Sequence, residues 1–263
     1  QGNINNPSQI IPNEIISLIL KNNYFDKIIL SSKNDLSFKI NKKFKISDLG
    51  IKSKINVEEA TFGLENKSIK KYLPDFENEF KFINHDLDIE YKKKILVKGS
   101  GNIGIGNKKD KIEYKLNYID DKIEYDLVLF LNEASIKLDH INFSKKENIK
   151  SKLRVKGKNS NKKIKIEKIS LSTDNSNIGL DNFEITKNYR VTNFEKIKLD
   201  YFDNENKKND LLIKNSNKNN YLISGNNFNL SKIIDDMLFS ESGEPIKLFD
   251  KKNRIFKVDF NEN

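Results

Sequence analysis

Three groups of residues have types and spacings that could do chemistry. Gly99-Ser-Gly101-Asn-Ile-Gly104 matches the G-x-G-x-x-G pattern that cradles a dinucleotide pyrophosphate, with Asp120 and Asp121 about twenty residues on, where a ribose-binding acid would stand. The pattern works only where it opens a helix, because the N–H groups of the first helical turn hold the phosphate. Here Ile103, Ile105, Ile112, Tyr114 and Leu116 continue in strand-like alternation, so the glycines read as a strand crossing or bulge. Asp86, Asp88 and Glu90 share one face of a strand, a convergence that a metal site or an acid/base pair would use. Leu87, Ile89 and Tyr91 alternate with them, which is the pattern of a wet face opposite a buried one, and no calcium-loop glycine follows. Glu58-Glu59 and Asp235-Asp236 are adjacent pairs whose side chains diverge. His85 and His140 are the only histidines, and no H-E-x-x-H, G-x-S-x-G or P-loop is present. The absence of cysteine excludes disulfides, thiol catalysis and cysteine-based zinc sites. The expectation is a chain that is not an enzyme and uses no cofactor or metal.

The charge is equally uninformative about catalysis. The 263 residues carry a formal charge of +10, with 33% charged and 36% hydrophobic residues. The lysines alternate with apolar residues and are interleaved with acids, as in Lys111-Ile-Glu-Tyr-Lys115 and Lys163-Ile-Lys-Ile-Glu-Lys-Ile169. Arginine, the favoured reader of phosphates and guanine, occurs only at 154, 190 and 254. No nucleic-acid partner is expected, and the lysines read as a solvated face. No stretch reaches the ~18–20 apolar residues that span a bilayer. The run Ile15–Leu20 is short and lacks a basic leader, so it does not read as a signal peptide. Gln1 at the start and a strand barely begun at Ile255–Phe260 lead us to expect a fragment of a longer chain, with any targeting segment upstream.

The elements that must position these residues are nearly all strands. A short helix is expected at Pro12–Lys21, a second at Lys67–Leu73 stopped by Pro74, and a third at Leu230–Phe239 capped by Asn229 or Ser231. Between them the period is two. Expected strands begin with Lys27–Ser31, Leu36–Ile40, Phe44–Leu49, Ile51–Val57 and Ala60–Leu64, with turns at Asn34-Asp35 and Asp48-Leu49-Gly50. The alternation then runs from Phe80 to Ser224, broken by polar turns at Asn107–Asp110, Asp120-Asp121, Lys158–Asn161 and Asp203–Asn209. Three sections follow: 1–74, a helix plus β-meander; 75–240, the main β section closed by the third helix; and 241–263, the start of the next. Roughly seventeen strands at about 4.8 Å spacing would make a ribbon on the order of 80 Å long. Such a ribbon twists, and must curl into a trough, a barrel or a sandwich. The fold class is therefore all-β, a long antiparallel meander.

The most informative constellation is an apolar stripe. Tyr125, Leu127, Leu129 and Leu131 share one face of their strand. Beside them stand Ile112, Tyr114, Leu116 and Tyr118, then Ile136 and Leu138, and further on Ile164 and Ile166. These twelve are the candidate site residues. Two readings stand: the closed core of a structural or adhesive secreted β protein, and the floor of a trough that holds a greasy ligand.

The closing segment Tyr221-Leu-Ile-Ser-Gly-Asn-Asn-Phe-Asn-Leu-Ser-Lys-Ile-Ile-Asp-Asp-Met-Leu238 resembles the AsmA-like superfamily, of the TamB/YhdP type. In that family a strand ending in glycine and a short Phe-x-Leu-Ser step lead into an amphipathic helix. The meander Ile95–Leu131 with its Val97-Lys-Gly-Ser-Gly101-Asn-Ile103 crossing, and the alternating run to Tyr201, are similar too, and Tyr72-Leu-Pro74 is a weaker echo. The resemblance spans about residues 75–240. It implies a section of a periplasmic bridge-like lipid transfer protein of Gram-negative bacteria, anchored to the inner membrane by a segment not in this sequence. It also implies an open U-shaped β-groove whose apolar floor shields phospholipid acyl chains between the inner and outer membranes.

Overall fold

A computed structural model of the chain describes residues 23–64, 67–119, 122–160, 163–186, 191–217, 220–231 and 255–260. The expected helix at Pro12–Lys21 lies outside these residues, as does the helix at Leu230–Phe239 beyond Ser231. The chain is all-β, as expected. Among the described residues fourteen strands, numbered in chain order, form one sheet β1-β2-β3-β4-β5-β6-β9-β10-β11-β13-β14-β15-β16, with β12 (Val191–Asn193) paired to β11 (Asn177–Ile185) beside that path, and β7 (Ile136–Leu138) and β8 (Phe143–Lys145) make a separate two-stranded sheet. The sheet is mixed, because the strands Asn220–Asn227 and Ile255–Phe260 pair in parallel. The chain divides into two compact units, residues 1–117 and 118–263.

The first unit contains β1 (Asn23–Ile40), β2 (Ile46–Leu64), the helix α1 (Lys67–Tyr72), β3 (Glu79–Tyr91), β4 (Ile95–Ile105) and most of β5 (Lys108–Ile119). Its strands are fewer and longer than the sequence suggested. Asn34-Asp35 does not turn; it lies within β1, opposite Ser53 and Lys52 of β2. The polar pair is tolerated there because both neighbours across the ladder are polar and wet. The real turn is Asn41–Phe44, where the Asn41 side-chain oxygen accepts the N–H groups of Lys43 (2.9 Å) and Lys45 (3.0 Å), and Phe44 takes φ 56. Asp48, expected in a turn, instead has φ 53 at a bulge in β2. Likewise the β4–β5 turn is the two residues Gly106-Asn107, with Gly106 at φ 58, and Lys108–Asp110 already belong to β5. One face of this unit packs Ile55, Val57 and Ala60 against Ile28, Leu30, Phe82, Leu87 and Ile89.

The second unit holds β6 (Lys122–Phe130), β7 (Ile136–Leu138), a 3-10 turn (Asp139–Ile141), β8 (Phe143–Lys145), β9 (Ser151–Asn159) and β10 (Ile164–Thr173). They are followed by β11 (Asn177–Ile185), β12 (Val191–Asn193), β13 (Lys196–Phe202), β14 (Lys208–Asn217), β15 (Asn220–Asn227) and β16 (Ile255–Phe260). The expected strand Tyr189–Tyr201 is broken at Phe194-Glu195, which turns the Phe194 ring into the core, where it is buried. The β7–β8 hairpin is a flap over one end of the sheet. The Lys145 ammonium, buried under it, donates to the carbonyls of Leu131 (2.5 Å), Asn132 (3.1 Å) and Ala134. These bonds replace the water that a buried charge loses. The flap is fastened to β13 by the Tyr201 hydroxyl, which donates to the Ile141 carbonyl at 2.7 Å, and by edge-on contact of Phe143 with the Tyr201 ring. At the Phe228–Ser231 step, the Asn229 side-chain oxygen accepts the Ser231 N–H at 3.1 Å, as an N-cap would.

Candidate functional site

Residues directly opposite across a ladder share a face, so the register sorts the apolar side chains of the second unit into rows. The row through Leu129 runs to Leu153, Leu171, Ile178, Leu199 and Leu211. From Leu171 to Leu211 it is buried, at the end where the flap sits on Tyr201. Two residues along each strand, the row through Leu127 runs to Val155, Ile169, Leu180, Ile197, Ile213 and Ile223. Every one of these seven is only half-buried, and Val258 of β16 extends the row opposite Ile223, 60% exposed. On the far side of this row stands an aromatic ladder: Phe183 on Phe194 at 5.2 Å, Phe194 on Tyr221 at 4.4 Å and Tyr221 on Phe256 at 5.2 Å between ring centres. The result is an aliphatic strip crossing seven strands, with a covered row on one side and stacked rings on the other.

The reverse face is charged. Arg154 holds Asp126 in a two-pronged bond (2.9 and 2.6 Å), Lys156 pairs with Glu167 at 3.0 Å and Lys196 with Asp181 at 3.3 Å. Such part-exposed pairs add little stability, typically below about 1 kcal/mol each. Their effect is to keep this face of the second unit wet and largely polar, although Val128, Phe202 and Leu222 also stand on it.

Of the twelve candidates, Tyr125, Leu127, Leu129, Ile164 and Ile166 share the apolar face of the second unit. Leu131 is fully buried at the end of β6. Ile136 and Leu138 lie in β7, paired with Lys145 and Phe143, so they belong to the flap and do not extend the rows. Ile112, Tyr114 and Leu116 belong to the first unit, Ile112 buried and the other two half-buried, and Tyr118 in the second unit is half-buried. Sequence reasoning missed the aromatic ladder. Tyr221 and Phe256 are far from Phe183 along the chain, and Phe194 enters the stack from the break between β12 and β13, so alternation alone does not group them.

The residues that could have done chemistry have structural partners. The glycine motif sits inside β4, without a helix. A side-chain carbon at Gly99 would come within 2.3 Å of the Tyr114 ring, and one at Gly101 within 2.5 Å of His85 Nδ1. The glycines are the bed on which these two stacked rings lie, their centres 5.5 Å apart and His85 Nε2 3.2 Å from the Tyr114 hydroxyl. His85 is placed by a bulge at Asn84-His85, with Asn84 at φ 47. His85 is 1% exposed, and its Nδ1 has no hydrogen-bond partner. Asp86 accepts from the Asn56 amide at 2.8 Å and Glu90 lies 3.8 Å from Lys52, both on an exposed surface. Among the described residues no three acidic, histidine or cysteine side chains converge as a metal site.

Burial pushes the His85 imidazole below its ordinary range, against an opposing pull from Asp86, and pushes the Tyr114 phenol up to about 12. The folded state therefore favours neutral histidine. As pH falls through about 6.5, the unfolded chain takes up a proton that folded His85 refuses, so stability declines from there and levels off below the folded pKa. The urea midpoint of the first unit is expected to drop between pH 7.5 and 5.5, and to drop less in His85→Phe. Equal drops in the two proteins would contradict this assignment.

No protein-family model, curated protein or solved structure matches the chain.

Proposed function

We propose that this chain is a section of a non-enzymatic, bridge-like lipid transfer protein of the AsmA-like kind, working in the periplasm between inner and outer membranes. Its ligand is the acyl portion of a phospholipid, laid along the apolar face. The carrying observation is the half-buried row from Leu127 to Ile223, continuous over seven strands. Six spacings of about 4.8 Å give a strip of roughly 29 Å, against about 15 Å for one leaflet of a bilayer's hydrocarbon core.

The energetics favour such a track. Burial is worth about 0.8 kcal/mol per methylene, so a sixteen-carbon chain resists water by roughly 12 kcal/mol. A lipid crosses an aqueous gap only if apolar side chains replace the bilayer throughout. Strands lying across the path accomplish this, because each adds one residue to the row and turns its charged neighbours to the other face. A structural or adhesive protein would instead place a second sheet against this face. Among the described residues the second sheet is the β7–β8 flap, at the Tyr201 end.

Solvent extraction of the purified protein, followed by mass spectrometry of the extract, tests the reading. Phospholipid in a fixed ratio to protein is expected. Protein that emerges consistently lipid-free from a phospholipid-containing host contradicts it.

A further inference from the structure

The β1–β2 hairpin outruns its neighbour. Pairing of β2 with β3 stops at Ile51 opposite Tyr91, whereas β1 and β2 stay paired as far as Ile40 opposite Ile46. From Leu36, opposite Ile51, onward the tip is apolar and uncovered: Leu36 is 62% exposed, Ile40 56%, Phe44 88% and Ile46 64%. Leu36, Phe38 and Ile40 alternate along β1 and so share a face, with Ile46 directly across from Ile40. Interleaved with them are Lys39, Lys42, Lys43 and Lys45, while the only acid of the tip, Asp48, is bound to Lys39 at 2.7 Å. An exposed aromatic at the turn itself costs solubility and contributes nothing to the sheet.

We propose that this tip docks on a bilayer surface rich in anionic headgroups. Phe44 and Ile46 enter the boundary between headgroups and acyl chains, and Lys42, Lys43 and Lys45 lie among the phosphates, their aliphatic stems following the apolar residues inward. Charge complementarity selects the anionic surface, since basic residues at a membrane act through its negative potential. Size argues against a protein partner. A stable protein interface takes about 800 Å² from each side. One face of this tip measures roughly 10 by 20 Å by strand spacing and rise.

The proposal stands apart from the acyl track, because it rests on other residues in the other unit. The chain has no cysteine, so Phe44→Cys provides a unique site for an environment-sensitive fluorophore. With the full chain and vesicles of phosphatidylcholine and phosphatidylglycerol at about 3:1, the label is expected to shift to the blue, and less so as salt rises. The same label at Lys98→Cys, away from the tip, stays unshifted. In sedimentation with these vesicles, Phe44→Ser/Ile46→Ser and Lys42→Glu/Lys43→Glu each lose at least tenfold in binding. Both pairs are exposed, and circular dichroism checks that the sheet is retained. Both double variants keep the phospholipid that is extracted from the purified protein, so failure of the tip would not imitate failure of the acyl track. Unchanged binding by both double variants overturns the proposal. So does a blue shift without vesicles that grows with protein concentration, which would make a second copy of the chain the occupant.

Discussion

Leu127→Asp should remove at least nine-tenths of the phospholipid that purifies with the protein, while Val128→Asp, one residue along the same strand, should leave it in place. The two positions are adjacent and both half-buried, but they point to opposite faces. Leu127 lies opposite Val155 in the aliphatic row, whereas Val128 lies opposite Arg154 on the charged face, where a carboxylate gains a partner. A carboxylate in the row keeps its water and so keeps about three methylenes of an acyl chain from being covered. At about 0.8 kcal/mol each that is roughly 2.4 kcal/mol. A tenfold loss of affinity needs about 1.4 kcal/mol, so the effect exceeds it. Leu127 is not in the buried part of the sheet, so the fold is expected to survive and urea midpoints to stay close. Equal lipid content in the two variants would remove the row from the ligand's path.

Gly101→Val should destabilise the first unit by about 3 kcal/mol, at the upper end of what overpacking costs. A side-chain carbon there would stand 2.6 Å from the His85 Cα and 2.8 Å from the Asn84 carbonyl oxygen, as well as against the imidazole. Backbone atoms at a bulge cannot move aside cheaply, so His85→Ala does not rescue this variant. Gly99→Ala differs, since all three of its nearest obstacles belong to the Tyr114 ring. Added to a Tyr114→Ala background, Gly99→Ala should cost far less than in the native chain. Urea denaturation of these single and double variants beside the native chain measures both effects. A cost below about 1 kcal/mol for Gly101→Val would mean that the backbone of the Asn84-His85 bulge is not what requires glycine.

The glycines also show how much the sequence could tell. Alternation through Ile103, Ile105 and Ile112 was enough to reject a dinucleotide loop, because a period of two cannot open a helix. It could not reveal that His85 and Tyr114 need the space, since His85 reaches Gly101 through a bulge and bulges leave no periodic trace. Alternation likewise placed Tyr125, Leu127 and Leu129 on one face. It failed at Asn34-Asp35, where turn-prone residues sit in a ladder whose partners are equally polar, and at Asn41–Phe44, where an Asx turn stands in place of the expected strand start. Ile136 and Leu138 have strand-like spacing but pair with β8, because Lys145 ties that hairpin down over Leu131 and Ala134. Which strand lies beside which is a long-range matter. The row from Leu127 to Ile223 and the stack from Phe183 to Phe256 exist only through pairing registers, so the strip was visible as a tendency and its boundaries were not.

On the proposed function, acyl chains lie along the half-buried row and not on the charged face. Photocrosslinking resolved by face tests this most directly. A benzophenone amino acid is placed at Leu127, Leu180 or Ile213 in the row, or at Lys158, Lys168 or Lys214 on the reverse, in protein incubated with phospholipid vesicles. Phospholipid adducts at the three row positions and none at the three lysine positions are the predicted result. Adducts spread equally over both faces, or absent from the row, would rule out the row as the path of the acyl chains.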